Sequence, residues 1–186
     1  MKEEINKTVQ ELRSGGVILY PTDTVWGLGC DPTNVVAVRK LCKVKKREFG
    51  RPLIVLIQDI GQLYDYVQRV PDVAWDILEY SEKPLTMILP GGKGLAKEVL
   101  GEDGSVAIRL LKEGFGFDLL RRFNKGLVST SANVSGEPTP RLYKDLSKQI
   151  LDGVDYIVNC RYDTTKGKAS RIIKVGLNGE YQLIRD

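Results

Sequence analysis

Two short apolar runs, Val17-Ile18-Leu19-Tyr20 and Leu53-Ile54-Val55-Leu56-Ile57, lack the alternating polar positions of a strand with one wet face. Such strands are buried on both faces, so the sheet that contains them must be covered by helices on both sides. Helical repeats precede and separate them. Ile5, Val9 and Leu12 recur at helical spacing and stop at Ser14-Gly15-Gly16, and Val35, Val38 and Leu41 mark a second helix. Asp59 followed by Gln62 has the form of a capping box opening a helix that carries Leu63 and Val67, and Pro71 starts another with Ala74, Ile77 and Leu78 on one side. Further strands are expected at 85–89, 106–110, 127–129, 156–159, 171–175 and 181–184, with helices near 117–123 and 142–151. Thr139-Pro140 reads as N-cap and first-turn residue of the last helix. The expected fold is α/β, a three-layer domain with a twisted mixed sheet. Gly91-Gly92-Lys93-Gly94 and Gly101-Glu102-Asp103-Gly104 are turn-like and too short for an interdomain linker, so residues 1–186 are expected to form one domain.

What the chain lacks narrows its chemistry. It contains no histidine, and its three cysteines, Cys30, Cys42 and Cys160, are far apart, so no zinc-ligand spacing can be assembled. A Ser-His-Asp or Cys-His nucleophile system is excluded for the same reason. No G-x-x-x-x-G-K-[ST] loop occurs, and Pro32 stands where Gly27-Leu28-Gly29 would need the third glycine of a dinucleotide fingerprint. Met1-Lys2-Glu3-Glu4 leads straight into an amphipathic pattern, and the apolar run 53–57 is far too short to span a bilayer. A soluble protein in a reduced, cytoplasmic setting, without membrane association, is expected. The formal charge of +4 is a mild excess that attracts nucleotides or RNA without defining either. Basic residues concentrate at Arg39-Lys40, Lys43 and Lys45-Lys46-Arg47, then at Lys166, Lys168, Arg171 and Lys174. Catalysis in such a chain rests on lysine, arginine, hydroxyls and backbone amides. That inventory suits phosphoryl or nucleotidyl transfer, where a protein chiefly positions groups and neutralises charge, with a metal brought in by the nucleotide.

Three segments put hydroxyls, amides or fixed cations beside glycine or proline: Tyr20 to Gly29, Lys45-Lys46-Arg47, and Ser129 to Gly136. This is the composition of backbone that approaches an anionic ligand closely. The same segments carry a family resemblance. Y-P-T-x-T-x-x-G-L-G at Tyr20 to Gly29, K-x-R at Lys45 and Arg47 followed by Pro52-Leu53, P-L-T at Pro84 to Thr86, A-I-R at Ala107 to Arg109 and S-A-N-x-S-G at Ser131 to Gly136 occur in this order. In these motifs the chain resembles the YrdC/TsaC family of threonylcarbamoyl-AMP synthases, in its short single-domain form. The resemblance implies a YrdC-like fold and synthesis of threonylcarbamoyl-adenylate and pyrophosphate from L-threonine, bicarbonate and ATP. It further implies ATP with Mg2+ as the substrate complex without a protein-bound metal, and transfer of the adenylate to a separate tRNA-modifying complex. tRNA or double-stranded RNA stands among the partners it allows.

By resemblance, Lys45 and Arg47 meet the ATP phosphates and carry catalysis. An i, i+2 pair on extended backbone would point both side chains the same way, as a two-pronged clamp; the plain alternative is solvated surface charge. The resemblance assigns Ser105, Ser131, Asn133, Thr139 and Arg185 to ATP, and Thr22, Arg109, Ser129 and Ser170 to threonine. Arg109 ends an apolar strand pattern, where its planar fork suits a carboxylate, against the alternative of a structural ion pair. For Thr22 the alternative is a turn hydroxyl that satisfies local backbone. Ser129, Ser131, Asn133 and Ser135 alternate, so extended backbone would present them on one side. Trp26, Tyr64 and Trp75 read as core or edge aromatics.

The chain also departs from the family pattern. Ser170-Arg171-Ile172-Ile173-Lys174 replaces the usual S-T-I-V-D, Ser81 to Thr86 replaces W-P-G-P-L-T, and Leu111 stands two residues after Arg109 in place of proline. These changes leave open a second reading, a non-catalytic module of the same fold that holds a nucleotide or double-stranded RNA. A third, a carbamoyl-transfer relative with another acceptor, fits longer chains better.

Overall fold

The computed structural model describes residues 1–48, 50–159 and 170–186. In chain order the elements are α1 (Lys2–Arg13), β1 (Ile18–Pro21), β2 (Trp26–Cys30), α2 (Val35–Lys45), β3 (Ile54–Ile57), α3 (Leu63–Tyr66), α4 (Asp72–Tyr80), β4 (Leu85–Leu89), β5 (Val106–Leu110), α5 (Gly114–Phe123), β6 (Leu127–Ser131), α6 (Lys148–Gly153), β7 (Tyr156–Ile157), β8 (Arg171–Val175) and β9 (Tyr181–Arg185). The nine strands form one sheet in the order β7-β1-β2-β6-β3-β5-β4-β8-β9. It is mixed: β1 with β7, β3 with β5 and β4 with β8 run parallel, and the other neighbours run antiparallel.

The sheet separates two apolar clusters, as strands buried on both faces require. On one side, Ala37, Val38 and Leu41 of α2, Ala74 and Leu78 of α4 and Ile150 of α6 pack over Leu28, Val55, Met87 and Ile108. On the other, Ile5, Val9 and Leu12 of α1 and Leu119, Leu120 and Phe123 of α5 pack over Ile18, Tyr20, Leu56 and Leu127. Both clusters follow from the periodicities in the sequence. Helix α2 opens on Asn34, whose side chain accepts from the amides of Val36 and Ala37 at 3.0 and 3.1 Å, a cap of the ordinary kind.

Five expectations are corrected. The Tyr20 to Gly29 segment contains a full strand, β2, whose glycines mask the strand pattern. A Cβ on Gly29 would lie 3.0 Å from Tyr20 Cε1, so glycine is what lets the Tyr20 ring lie across the strand. Thr139-Pro140 does not open a helix; the region expected as one helix is a 3-10 turn, Tyr143–Asp145, then α6 begun at Ser147. Asp145 accepts from the Leu142 amide, and Leu146 turns extended at φ −68°, ψ 132°, which separates the two. Lys45 and Arg47 are not a pair on one extended segment: Lys45 ends α2, and Lys46 between them terminates it in the left-handed region at φ 50°. The Asp59–Gln62 capping box is present, but it opens a 3-10 turn before the short α3. The expected strand at 156–159 covers Tyr156–Ile157 only. Readings that fall on Cys160, Lys166 and Lys168 lie outside the described residues.

Candidate active site

Register across the sheet builds the site. Gly29, Ser129, Ile54, Ala107, Ile88 and Lys174 pair in one row across β2, β6, β3, β5, β4 and β8, so their side chains share a face. This is the face that α1 and α5 cover further along, at β1 and β3. Ser129 to Lys174 of that row, with Arg109 and Leu56 two residues along β5 and β3, line a cleft of about 1530 Å³. The turn after β1, the N-terminal end of α5, and the segments carrying Arg47, Thr139 and Arg185 close its sides.

Nine of the eleven residues singled out in the sequence therefore meet around one cleft: Thr22, Arg47, Ser105, Arg109, Ser129, Ser131, Thr139, Ser170 and Arg185. Their surroundings differ. Tyr20 donates to Ser129 Oγ at 2.7 Å, and burial of the Tyr20 ring pushes its hydroxyl far above the ordinary phenol range. Ser105, 3% exposed, donates its amide to Asp103 Oδ1 at 3.0 Å. Hydrogen bonds from Lys174 and Ser105 hold the Asp103 carboxyl well below the usual carboxylate range. Ser170, 4% exposed, shares a 2.8 Å hydrogen bond with Thr86, and its carbonyl accepts from Arg185 Nη2 at 2.7 Å. Arg47 Nη2 donates to the carbonyls of Arg51 and Pro52 at 3.0 and 3.4 Å.

Lys45 and Asn133 stand behind the wall and not in it. Lys45 is 3% exposed, and its Nζ donates to the carbonyls of Ser131 and Asn133 at 2.5 and 2.7 Å. Asn133 Oδ1 accepts from Ser131 Oγ at 2.5 Å, while its Nδ2 closes the following turn on Glu137 O at 2.7 Å. Asn133 and Ser135 leave the strand, so the expected polar row stops at Ser131. Burial and the nearby Arg47 charge push Lys45 down to about 8. Burial likewise lowers Arg47 and Arg185. Cations partly stripped of water in this way gain more from an arriving anion than solvated ones do.

Thr22 serves the turn that follows β1. Its Oγ1 donates to Val25 O at 2.6 Å, accepts from the amides of Thr24 and Val25, and lies 3.0 Å from Thr24 Oγ1. That turn carries Asp23, which sequence reasoning missed, to an ion pair with Arg109 Nη2. The available signal was Arg109 itself: an arginine in an apolar strand requires a counter-charge. Trp26 is a core residue against Tyr143 at 5.4 Å, and Tyr64 and Trp75 form a tilted pair at 5.0 Å, all outside the cleft. Among the described residues no group of three or more histidine, cysteine, aspartate or glutamate side chains could hold a metal ion. No helix among them is long and apolar enough to cross a membrane.

A cleft whose floor mixes hydroxyl, apolar and cationic side chains and whose sides carry the desolvated cations Arg47 and Arg185 suits an anionic ligand. The sequence model of the Sua5/YciO/YrdC family, described as "Telomere recombination", matches residues 10–186. The chain belongs to this family. It is 37% identical over 158 residues to the threonylcarbamoyl-AMP synthase of Idiomarina loihiensis, covering 83% of each chain. It is 37% identical over 163 residues to that of Stenotrophomonas maltophilia, covering 86% of this chain and 88% of the relative. Among solved structures it is similar to P. abyssi Sua5 complexed with L-threonine, with a TM-score of 0.86 and 25% identity over 94% of this chain; it spans about half, 52%, of that protein.

Proposed function

We propose that this chain is a threonylcarbamoyl-AMP synthase, a nucleotidyltransferase that makes L-threonylcarbamoyl-adenylate and pyrophosphate from L-threonine, bicarbonate and ATP, and that it works as a single domain. The observation that carries the reading is the convergence of nine family-matched polar residues, from separate segments, on one cleft. The relatives named threonylcarbamoyl-AMP synthase, matched over most of both chains, support it.

In this reading the threonine carboxylate lies on Arg109, with Ser129, Thr22 and Ser170 around the amino acid. The nucleotide runs toward Ser105, Ser131, Thr139, Arg47 and Arg185. Asn133 acts by fixing Ser131, and Lys45 exchanges its carbonyl bonds at Ser131 and Asn133 for phosphate oxygens. The threonine nitrogen, once neutral, attacks the bicarbonate carbon and water leaves. A carbamate oxygen then attacks the α-phosphorus and pyrophosphate departs. Lys45 and Arg47 neutralise the charge that grows on the leaving group, and a metal ion, Mg2+, arrives with ATP as part of the substrate. The setting is cytoplasmic, and the adenylate passes to a tRNA-modifying transferase complex, with tRNA as its final acceptor.

The test is pyrophosphate release by the purified chain with ATP-Mg. Release should require both L-threonine and bicarbonate. Serine, one methyl smaller, should be a poor substrate and not an inert one, since a methyl in a pocket is worth about 1–3 kcal/mol. Release that proceeds equally without an amino acid would reject the synthase and leave the nucleotide-holding module.

A further inference from the structure

We infer that Asp23 recognises the ammonium group of the substrate, so that Arg109 and Asp23 together select an α-amino acid by exchanging their mutual ion pair for the two charges of a zwitterion. The inference rests on the threonine reading above and assigns a residue that reading does not use.

Three observations carry it. First, the ion pair is half made. Asp23 Oδ2 engages Nη2 of Arg109, while the adjacent Nε, on the same edge of the guanidinium, is buried without a partner. Arginine and carboxylate bind best through two parallel hydrogen bonds, and the Nε–Nη2 edge offers such a pair. A free carboxylate of the right size therefore takes this edge better than Asp23 does. Second, the partners differ in freedom. Arg109 is 7% exposed and fixed in β5 between β3 and β4, whereas the Asp23 side chain is 46% exposed on the cleft wall. Third, the Thr22 hydroxyl ties the turn on both sides of Asp23 through Val25 O and the Thr24 and Val25 amides, so the backbone holds Asp23 beside Arg109 while its side chain can turn.

Displacement has a chemical consequence. Once a substrate carboxylate occupies Arg109, Asp23 loses its cation, and a lone carboxylate beside a second one is repelled. An α-amino acid brings its own replacement, an ammonium one carbon from its carboxylate. An α-hydroxy acid does not, and leaves two like charges side by side. The pair thus discriminates by charge count, with the penalty for the wrong ligand built into Asp23.

The experiment is calorimetric titration of the full chain and of Asp23→Asn and Asp23→Glu. The ligands are L-threonine and 2,3-dihydroxybutanoate of the same configuration, which has hydroxyl in place of ammonium. Wild type should prefer threonine. Asp23→Asn should weaken threonine about tenfold or more, the scale of a hydrogen bond to a charged group, and leave the hydroxy acid unchanged or tighter. Asp23→Glu should recover part of the preference. Threonine binding to Asp23→Asn as tightly as to wild type, or more tightly, would make Asp23 a mere competitor for Arg109. Equal weakening of both ligands would make it only a support for Arg109. Either result overturns the inference. If wild type fails to release pyrophosphate with threonine, the synthase reading fails; if it releases pyrophosphate while Asp23→Asn keeps full preference for threonine, only the present inference does. ATP affinity measured on the same variants confirms that each is folded.

Discussion

Among the described residues Lys45 is the one lysine in the interior, and its neighbour Lys46 is exposed. The two differ because α2 ends between them: Lys45 keeps helical backbone and points into the turn after β6, while Lys46 takes the left-handed conformation that stops the helix. A buried ammonium keeps its charge only through its hydrogen bonds, here to two carbonyls. Lys45→Ala should cut pyrophosphate release by roughly a hundredfold or more, because loss of one preorganised donor costs about 2.7–4 kcal/mol in the transition state. Lys46→Ala should change it little. Steady-state rates at saturating threonine decide the matter: similar modest losses would return Lys45 to a purely structural role. The sequence singled this residue out through K-x-R, on the family resemblance. Its geometry was not legible, because extended backbone was read across a helix terminus. For Thr22 the sequence offered a turn hydroxyl as one of two readings, and the structure shows it holding the turn; what the sequence did not show is that this turn brings Asp23 to Arg109.

At the scale of elements, β2 positions the Ser129 side of the cleft, where the proposed function places threonine. Its two glycines leave room for Tyr20, whose hydroxyl fixes Ser129. Gly29→Val would place its Cβ 3.0 Å from both the Tyr20 ring and the Val128 carbonyl, with two further methyls to accommodate. Although valine favours strands, this overpacking should lower unfolding stability by about 1–3 kcal/mol and raise the threonine requirement by freeing Ser129. Urea denaturation and threonine titration check both; an unchanged variant would show that the ring has space the present packing denies it. β2 also shows why part of the fold was hidden. Leu85–Leu89, Val106–Leu110 and Arg171–Val175 match their sequence expectations because their apolar residues set the strand period. Trp26-Gly27-Leu28-Gly29-Cys30 has the same period, but two of its five positions are glycine, which makes room for the Tyr20 ring. The helix near 142–151 failed for a local reason, the Asp145 side chain closing on Leu142, which no periodicity reports.

For the whole molecule, the absence of histidine gives an unusual pH behaviour. Between about pH 5.5 and 7 no side chain with an ordinary pKa changes charge, so unfolding stability should be flat there. Below that range it should fall. The Asp103, Glu98 and Asp155 carboxyls are lowered in the folded chain by hydrogen bonds from Lys174, Arg39 and Lys40, with burial opposing most strongly at Asp155. A lowered carboxyl contributes stability above its unfolded value that is lost as pH falls through the folded one. On the alkaline side Lys45 and the thiols act in opposite directions. Lys45, lowered from 10.5 to about 8, binds fewer protons folded than unfolded between those values, so its contribution to stability rises with pH there. Cys30 and Cys42 are raised by burial, and their contribution is lost above 9. The difference between wild type and Lys45→Met isolates the lysine. Urea unfolding of both should show wild type gaining on the variant as pH rises from about 7 to 10, with no change between about 5.5 and 7. A difference that stays constant through the alkaline range would mean that Lys45 keeps its proton in the folded chain, and that its two carbonyl bonds outweigh its burial.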